Sequence, residues 1–254
     1  MVKRGLYGGF PLAGLWRSPL GSCDSNKVLL RLVPLRGYLK PFVLFCVTFA
    51  FVFQAGSSPL ALVVLNTAGW GAGQPPTDWQ VKVNHGRPDF SVCTDQVGPC
   101  LHLKSVHSSF GLERKVDVAP TQLPYLTWHW KVTQLPNGGD FRRTATDDQA
   151  AQVLVAFEDS HIISYIWDSS APKGTAQPAS SIPFLHIFAV VCQSGDADAN
   201  HWVAESHNVA ADYERAYGRP APRVKGLRLQ INSQHTGTVA ESYFGEVAFR
   251  SASE

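Results

Sequence analysis

Short runs in which apolar and polar residues alternate recur along this chain, separated by turn residues, and that rhythm constrains the fold more than any other feature. The clearest stretch is Tyr125–Phe157, which reads as strand, polar loop, strand. In Leu126-Thr127-Trp128-His129-Trp130-Lys131-Val132 the even positions are apolar and the odd ones polar, the period of a half-buried strand. Asn137-Gly138-Gly139-Asp140 is a turn, because glycine supplies the positive φ that other residues resist. A charged loop with Asp140, Arg142, Arg143, Asp147, Asp148 and Gln149 leads into a second apolar run, Val153 to Phe157.

The pattern repeats on both sides. Trp79–Val83, Leu101–Lys104, Phe110–Val118, Ile162–Trp167, Phe184–Cys192, Leu227–Asn232 and Tyr243–Phe249 all read as strands. The last places Tyr243, Gly245, Val247 and Phe249 on one face. Arg114 is the charged member of an otherwise apolar face, and Asp140, Asp147 and Asp148 are candidate partners for it. Asp168–Ser181 reads as a long surface loop. One helix is predicted after Trp202: Asn208 caps it, Val209, Tyr213 and Tyr217 recur every four residues, Gly218 suits its end and Pro220 stops it. About nine short strands and one short helix imply an all-β fold, a jelly-roll-like antiparallel sandwich forming one domain over residues 75–254.

Residues 1–74 differ in kind. Residues 1–40 hold seven of the 22 Lys+Arg and one of the 20 Asp+Glu. The rest of the chain is therefore mildly acidic, which argues against nucleic acid. No charged residue occurs from Pro41 to Thr77, and Phe42–Phe53 is an apolar run of twelve behind Arg31, Arg36 and Lys40. This is the pattern of a secretory signal. It is short for a spanning helix, although extension through Leu60–Leu65 would allow an uncleaved anchor in the inner membrane. A periplasmic or otherwise exported protein is expected. Six residues separate Cys93 from Cys100, including Gly98 and Pro99, which suits a disulfide-closed hairpin. Cys192 lies in an apolar run and reads as a core thiol.

Several blocks, in order, resemble the bacterial family of domain of unknown function 3047: SSFGLER (108–114), YLTWHWKV (125–132), GGDFRRTATDDQAAQVLVAF (138–157), YIWDSSAPKGT (165–175), SHNVAADYERAYG (206–218) and INSQHTGTVAESYFGEVAF (231–249). The resemblance implies export and a sandwich similar to those of carbohydrate-binding modules. It implies no known reaction.

No nucleophile elbow, zincin helix or phosphate loop occurs. Three functional readings follow. The first is an exported binding module whose ligand is most simply a glycan or another envelope component. Its rim would be formed by Asp140, Arg142, Asp147, Asp148, Gln149, His207, Asn232, Gln234 and His235, with Trp167 and Tyr165 as a stacking platform. Outward positions Tyr125, Thr127, His129 and Lys131, with Arg228, Gln230 and Asn232, would supply a polar face. The second is a glycan hydrolase or lyase using two of Asp140, Asp148, Glu205 and Glu241. The third is a structural envelope protein without a small ligand. No cofactor is implied, and calcium is the one ion the loop acids could hold.

Overall fold

The computed structural model describes residues 60–71, 73–179 and 186–253. The basic leader, the run Phe42–Phe53 and Cys23 and Cys46 lie outside the described residues, and so does the expectation of a signal or anchor. Among the described residues no helix is long and apolar enough to cross a membrane.

Two sheets pack face to face. The strands are β1 (Ala61–Leu65), β2 (Trp79–His85), β3 (Asp89–Asp95), β4 (Gly98–Val106), β5 (Ser109–Val118), β6 (Tyr125–Gln134), β7 (Ala151–Phe157), β8 (His161–Asp168), β9 (Ala176–Pro178), β10 (His186–Ser194), β11 (Val203–Asn208), β12 (Val224–Asn232) and β13 (Val239–Arg250). A six-stranded sheet runs β11-β6-β13-β4-β3, with β1 also paired to β13. A seven-stranded sheet runs β2-β5-β12-β7-β8-β10-β9. All described pairs are antiparallel except β8 with β10. That pair departs from the expected all-antiparallel pattern because β8 and β10 are joined by a crossover rather than a hairpin, and parallel strands need one of a dozen or more residues.

The even positions of β6 do face the core: Leu126, Trp128, Trp130 and Val132 are buried. Trp128 and Trp130 meet edge to face at 5.3 Å, and Trp130 touches Trp167 from the facing sheet at 5.8 Å. Such aromatic pairs add about 0.5–1.5 kcal/mol each beyond the area they bury.

The helix α1 (Val209–Tyr217) has the caps its sequence predicts. Asn208 Oδ1 accepts from the Ala211 N–H at 3.0 Å, and Gly218 ends it in the left-handed region at φ 69°. Tyr213 packs on Phe157, and the Tyr217 hydroxyl is within 2.8 Å of both the Ile162 and His186 carbonyls, tying the helix to β8 and β10.

Four local readings change. Leu60–Leu65 contributes β1 rather than leader or anchor: Val64 and Leu65 are buried, so the sandwich begins before residue 75. Arg114 pairs with Asp78 at 2.8 Å and donates to the Val64 carbonyl at 2.6 Å, not with the loop acids, because Asp78 leads into β2, the neighbour of β5, and Val64 lies in β1 of the other sheet. Residues 168–181 are not all loop, since β9 pairs with β10. In β13 a register shift between Phe244 and Val247 breaks the strand's parity. Phe244 therefore joins Val247 and Phe249 in the core, while Tyr243 stacks on His102. Gly245 sits at the shift, where a Cβ would lie 3.0 Å from Val97 and 3.2 Å from His129.

The Cys93–Cys100 disulfide is formed between directly paired residues of the β3–β4 hairpin, with the Cα atoms 4.9 Å apart. Cys192 is buried and free.

Candidate functional site: a groove across the seven-stranded sheet

Strands β7, β8 and β10 are apolar on both faces. Val153, Val155, Ile163 and Tyr165 enter the core, while Leu154, Ile166, Ile187 and Ala189 line the opposite face. An antiparallel sheet with one solvated face shows strict alternation, so apolar residues on both sides mark a second covered or concave surface. That surface is a groove. Two cavities of about 470 and 630 Å³ share Asn84, Leu154, Ile187 and Gln230 and so form one depression. Either falls in the usual range for a small-ligand site, roughly 300–1,000 Å³.

Register sets the groove's chemistry. Gln230 on β12 lies opposite Gln152 on β7 and Gly111 on β5, and Arg228 lies opposite Leu154 and Glu113. The floor therefore passes from amides and charges on β12, β5 and the start of β7, where Gln152 lies, to mainly aliphatic side chains farther along β7 and on β8 and β10, with Ser164 among them. Gly111 keeps the crossing open: a Cβ there would meet the Leu229 carbonyl at 2.6 Å and the Arg228 side chain at 3.1 Å. Arg228 reaches Glu113 at 2.6 Å and Lys82 reaches it at 3.3 Å. Burial pushes the Glu113 carboxyl upward, but the two cations outweigh it and hold the group below its ordinary value.

The charged loop and the turn after β12 wall the other end, and Asn232 joins them. Its Oδ1 accepts from the Gln149 N–H at 2.9 Å and from Gln152 Nε2 at 2.6 Å, and its Nδ2 donates to the Asp147 carbonyl at 2.7 Å. The Thr236 N–H donates to Asp148 Oδ2 at 2.6 Å. Gln149 Nε2 donates to Asp147 Oδ1 at 2.9 Å, and burial nonetheless pushes the Asp147 carboxyl upward. Asp168 anchors the outer side of the loop, accepting from the N–H groups of Phe141, Ser170 and Ala171.

Of the residues expected to touch a ligand, Asp147, Gln149, Asn232, Gln234 and His235 line the groove. Asp140, Arg142, Asp148, Trp167 and His207 do not. Asp140 and Asp148 are buried: the first is held at 2.8 Å by Arg142 and at 3.2 Å by Arg143, which keep its carboxyl below the ordinary range. Arg142 is spent on that contact. Trp167 is a core residue whose indole N–H donates to the Gly195 carbonyl at 2.9 Å, so neither it nor buried Tyr165 is a stacking platform. The outward residues of β6 lie on the other sheet; there Lys131 pairs with Asp95 and lies 4.6 Å from the Tyr243 ring.

The four acids considered for catalysis are scattered. Asp140 and Asp148 brace the loop, Glu241 accepts from His102 on the six-stranded sheet at 2.8 Å, and Glu205 lies beside His207. Among the described residues, three possible metal donors gather within 4.8 Å only at Cys192, Glu205 and His207, not at the loop acids. Burial pushes the Cys192 thiol up. Burial also opposes charge on His207, but Asp212 and Glu205 outweigh it and raise the imidazole well above its ordinary value.

The groove residues Gln152, Leu154, Ser164, Ile166 and Ile187 were not anticipated. Their signal was the unbroken apolar run in β7 and β8, which alternation alone does not produce.

Residues 69–248 match the family model described as "Protein of unknown function (DUF3047)". No curated protein matches the chain in sequence. Solved structures similar to it include the xyloglucanase domain of NopAA, a type three effector from Sinorhizobium fredii, with 7% identity and TM-score 0.45, covering 68% of this chain and 92% of that one. The endoglucanase cel12A from Rhodothermus marinus has 8% identity and TM-score 0.42, covering 75% and 99%. The family 11 carbohydrate-binding module of cellulosomal cellulase Lic26A-Cel5E of Clostridium thermocellum has 6% identity and TM-score 0.40, covering 77% and 97%. These likenesses decide nothing about ligands.

Proposed function

We propose that this chain, which belongs to the DUF3047 family, is an exported module that binds a glycan in the groove of its seven-stranded sheet. The observation that carries this reading is the groove's division into an amide-bearing half and an aliphatic half. Sugar hydroxyls both donate and accept, and so do the side-chain amides of Gln152, Gln230 and Asn84. The C–H faces of a sugar ring need apolar contact, which Leu154, Ile166 and Ile187 supply. Export is supported by the basic segment before Phe42–Phe53 and by the disulfide, since such bonds persist in oxidising compartments.

Hydrolysis is the second reading, because a protonated acid beside an ionised one is what glycoside cleavage uses. Burial raises the Asp147 carboxyl, the direction a general acid needs. Glu113 is held below its ordinary range, but it lines only the other cavity and is committed to Arg228 and Lys82, which weakens it as a nucleophile or base. Binding is therefore preferred.

Calorimetric titration of the chain with soluble envelope and plant glycans tests the proposal, followed by Gln230→Ala and Leu154→Ala. Each substitution should weaken binding about three- to tenfold, the worth of one hydrogen bond or a small apolar contact, with the fold intact. No binding across the panel, or binding that ignores both substitutions, would refute it. Release of reducing ends that stops in Asp147→Asn would favour the hydrolase.

A further inference from the structure

We propose that Cys192, Glu205 and His207 bind a divalent transition-metal ion, zinc being the best match. The site is separate from the groove, since none of the three lines either cavity.

Two strands from different sheets bring the donors together. β10 of the seven-stranded sheet supplies Cys192, and β11, the edge of the six-stranded sheet, supplies Glu205 and His207. Residues two apart in a strand share a face, so both side chains point toward β10. Cys192 Sγ lies 3.4 Å from His207 Nε2, and Glu205 Oε2 lies 3.3 Å from the same nitrogen. All three donor atoms fall within 4.8 Å of one another. Zinc bonds of about 2.0–2.3 Å at tetrahedral angles place neighbouring ligand atoms roughly 3.3–3.6 Å apart. Both measured separations match that spacing.

The surroundings orient the donors as metal ligands are oriented. Asp212 Oδ2 lies 3.7 Å from Nδ1 of His207, on the side away from the thiol, so that when an ion displaces the Nε2 proton the remaining Nδ1 proton stays on the carboxylate side. Asp212 is itself fixed by the Tyr165 hydroxyl at 2.8 Å and by Arg215 at 2.7 Å. Gln193 Nε2 holds Glu205 Oε1 at 2.8 Å, leaving Oε2 for the ion. The imidazole ring is stacked on Trp128 at 5.3 Å and tilted against Tyr165 at 4.5 Å. An ion pair alone would need only Asp212 and His207. It would give no reason for a thiol at ligand spacing from Nε2, nor for an amide that fixes one oxygen of Glu205.

The donor set selects the ion. One sulfur, one imidazole nitrogen and one carboxylate oxygen suit zinc or its neighbours, whereas calcium and magnesium require mainly oxygen. Three protein ligands leave a fourth position for water or a substrate group. The half-buried edge of His207 gives that position access to solvent.

The test uses the full chain with Cys23 and Cys46 replaced by Ser, so that leader thiols contribute nothing. After dialysis against chelator, Zn²⁺ is titrated and Co²⁺ is then substituted. The expected result is one equivalent of Zn²⁺ and a Co²⁺ spectrum with a near-ultraviolet thiolate-to-cobalt band. That band should vanish in Cys192→Ser, and Asp212→Asn should weaken Zn²⁺ binding about 10–100-fold, as loss of a supporting carboxylate does. Circular dichroism checks that each variant is folded, and Glu205→Gln serves as the milder ligand substitution if Cys192→Ser is not. A folded chain that takes up no stoichiometric Zn²⁺ would overturn the proposal. So would a cobalt spectrum unchanged by loss of Cys192 or of Glu205.

Discussion

Asn232→Ala should cost this protein about 2–4 kcal/mol, and the figure follows from what Asn232 holds. Its side chain is the shared partner of the Gln149 N–H, the Gln152 amide and the Asp147 carbonyl. A buried polar group left without a partner costs about 1–3 kcal/mol. Three such groups would set a higher figure, but this one opens on the groove, where water can reach and recover part of each bond. For a domain of this size each kcal/mol lowers the melting temperature by about 2–4 °C, so a fall of about 5–15 °C is expected. Urea denaturation should show a lower midpoint with an unchanged slope. Gln234→Ala is the control: it lines the same wall, its amide lies 3.5 Å from His235, and its change should stay within about 0.5 kcal/mol. If Asn232→Ala melted with the wild type, or no lower than Gln234→Ala, then Asn232 would not be the pin of the loop.

Two further outcomes are expected. Burial raises the Asp147 carboxyl, so the folded protein holds that proton more tightly than the unfolded chain, and ionisation costs stability as pH climbs through the raised value. Asp147→Asn should therefore melt above the wild type at about pH 7 and show no such gain at about pH 3, below the unfolded value of roughly 3.9; equal gains at both would disprove the assignment. The disulfide closes a short loop, with a sequence separation of 7, and its loss should cost about 2–3 kcal/mol. The Cys93→Ser, Cys100→Ser double variant and the reduced wild type should melt at the same lowered temperature, and an unchanged melt would refute this.

What the sequence disclosed was local. Asn208 and Gly218 bracket α1 because caps depend on one turn of chain, and the alternation in β6 reads directly as one buried face. Features set by partners were not legible. Tyr243 and Phe244 exchange faces because β13 shifts register against β6, a fact that resides in the other strand. β1 was hidden in a charge-free stretch that suits a leader equally well, and β11, VAESHN, is too polar to read as a strand without β6 beside it. Trp167 misled because β8 is apolar on both faces, so periodicity could not assign its side chain to core or groove. The loop residues fell into two groups for the same reason: those bonded inward to each other and to Asn232, and those left facing the groove.

β13 is the hub of the six-stranded sheet, pairing with β1, β4 and β6, and it follows all three in the chain. Until it leaves the ribosome, that sheet exists only as fragments: β3 has β4, β6 has β11, and β1 has no neighbour. Ala61 must wait for Arg250, its register partner. Contacts of such long range make folding slow and hold it back until β13 has been made. Until then Trp128, Trp130 and the future contacts of Phe244 lack the strand that completes their sheet, which is the state in which chaperones bind chains.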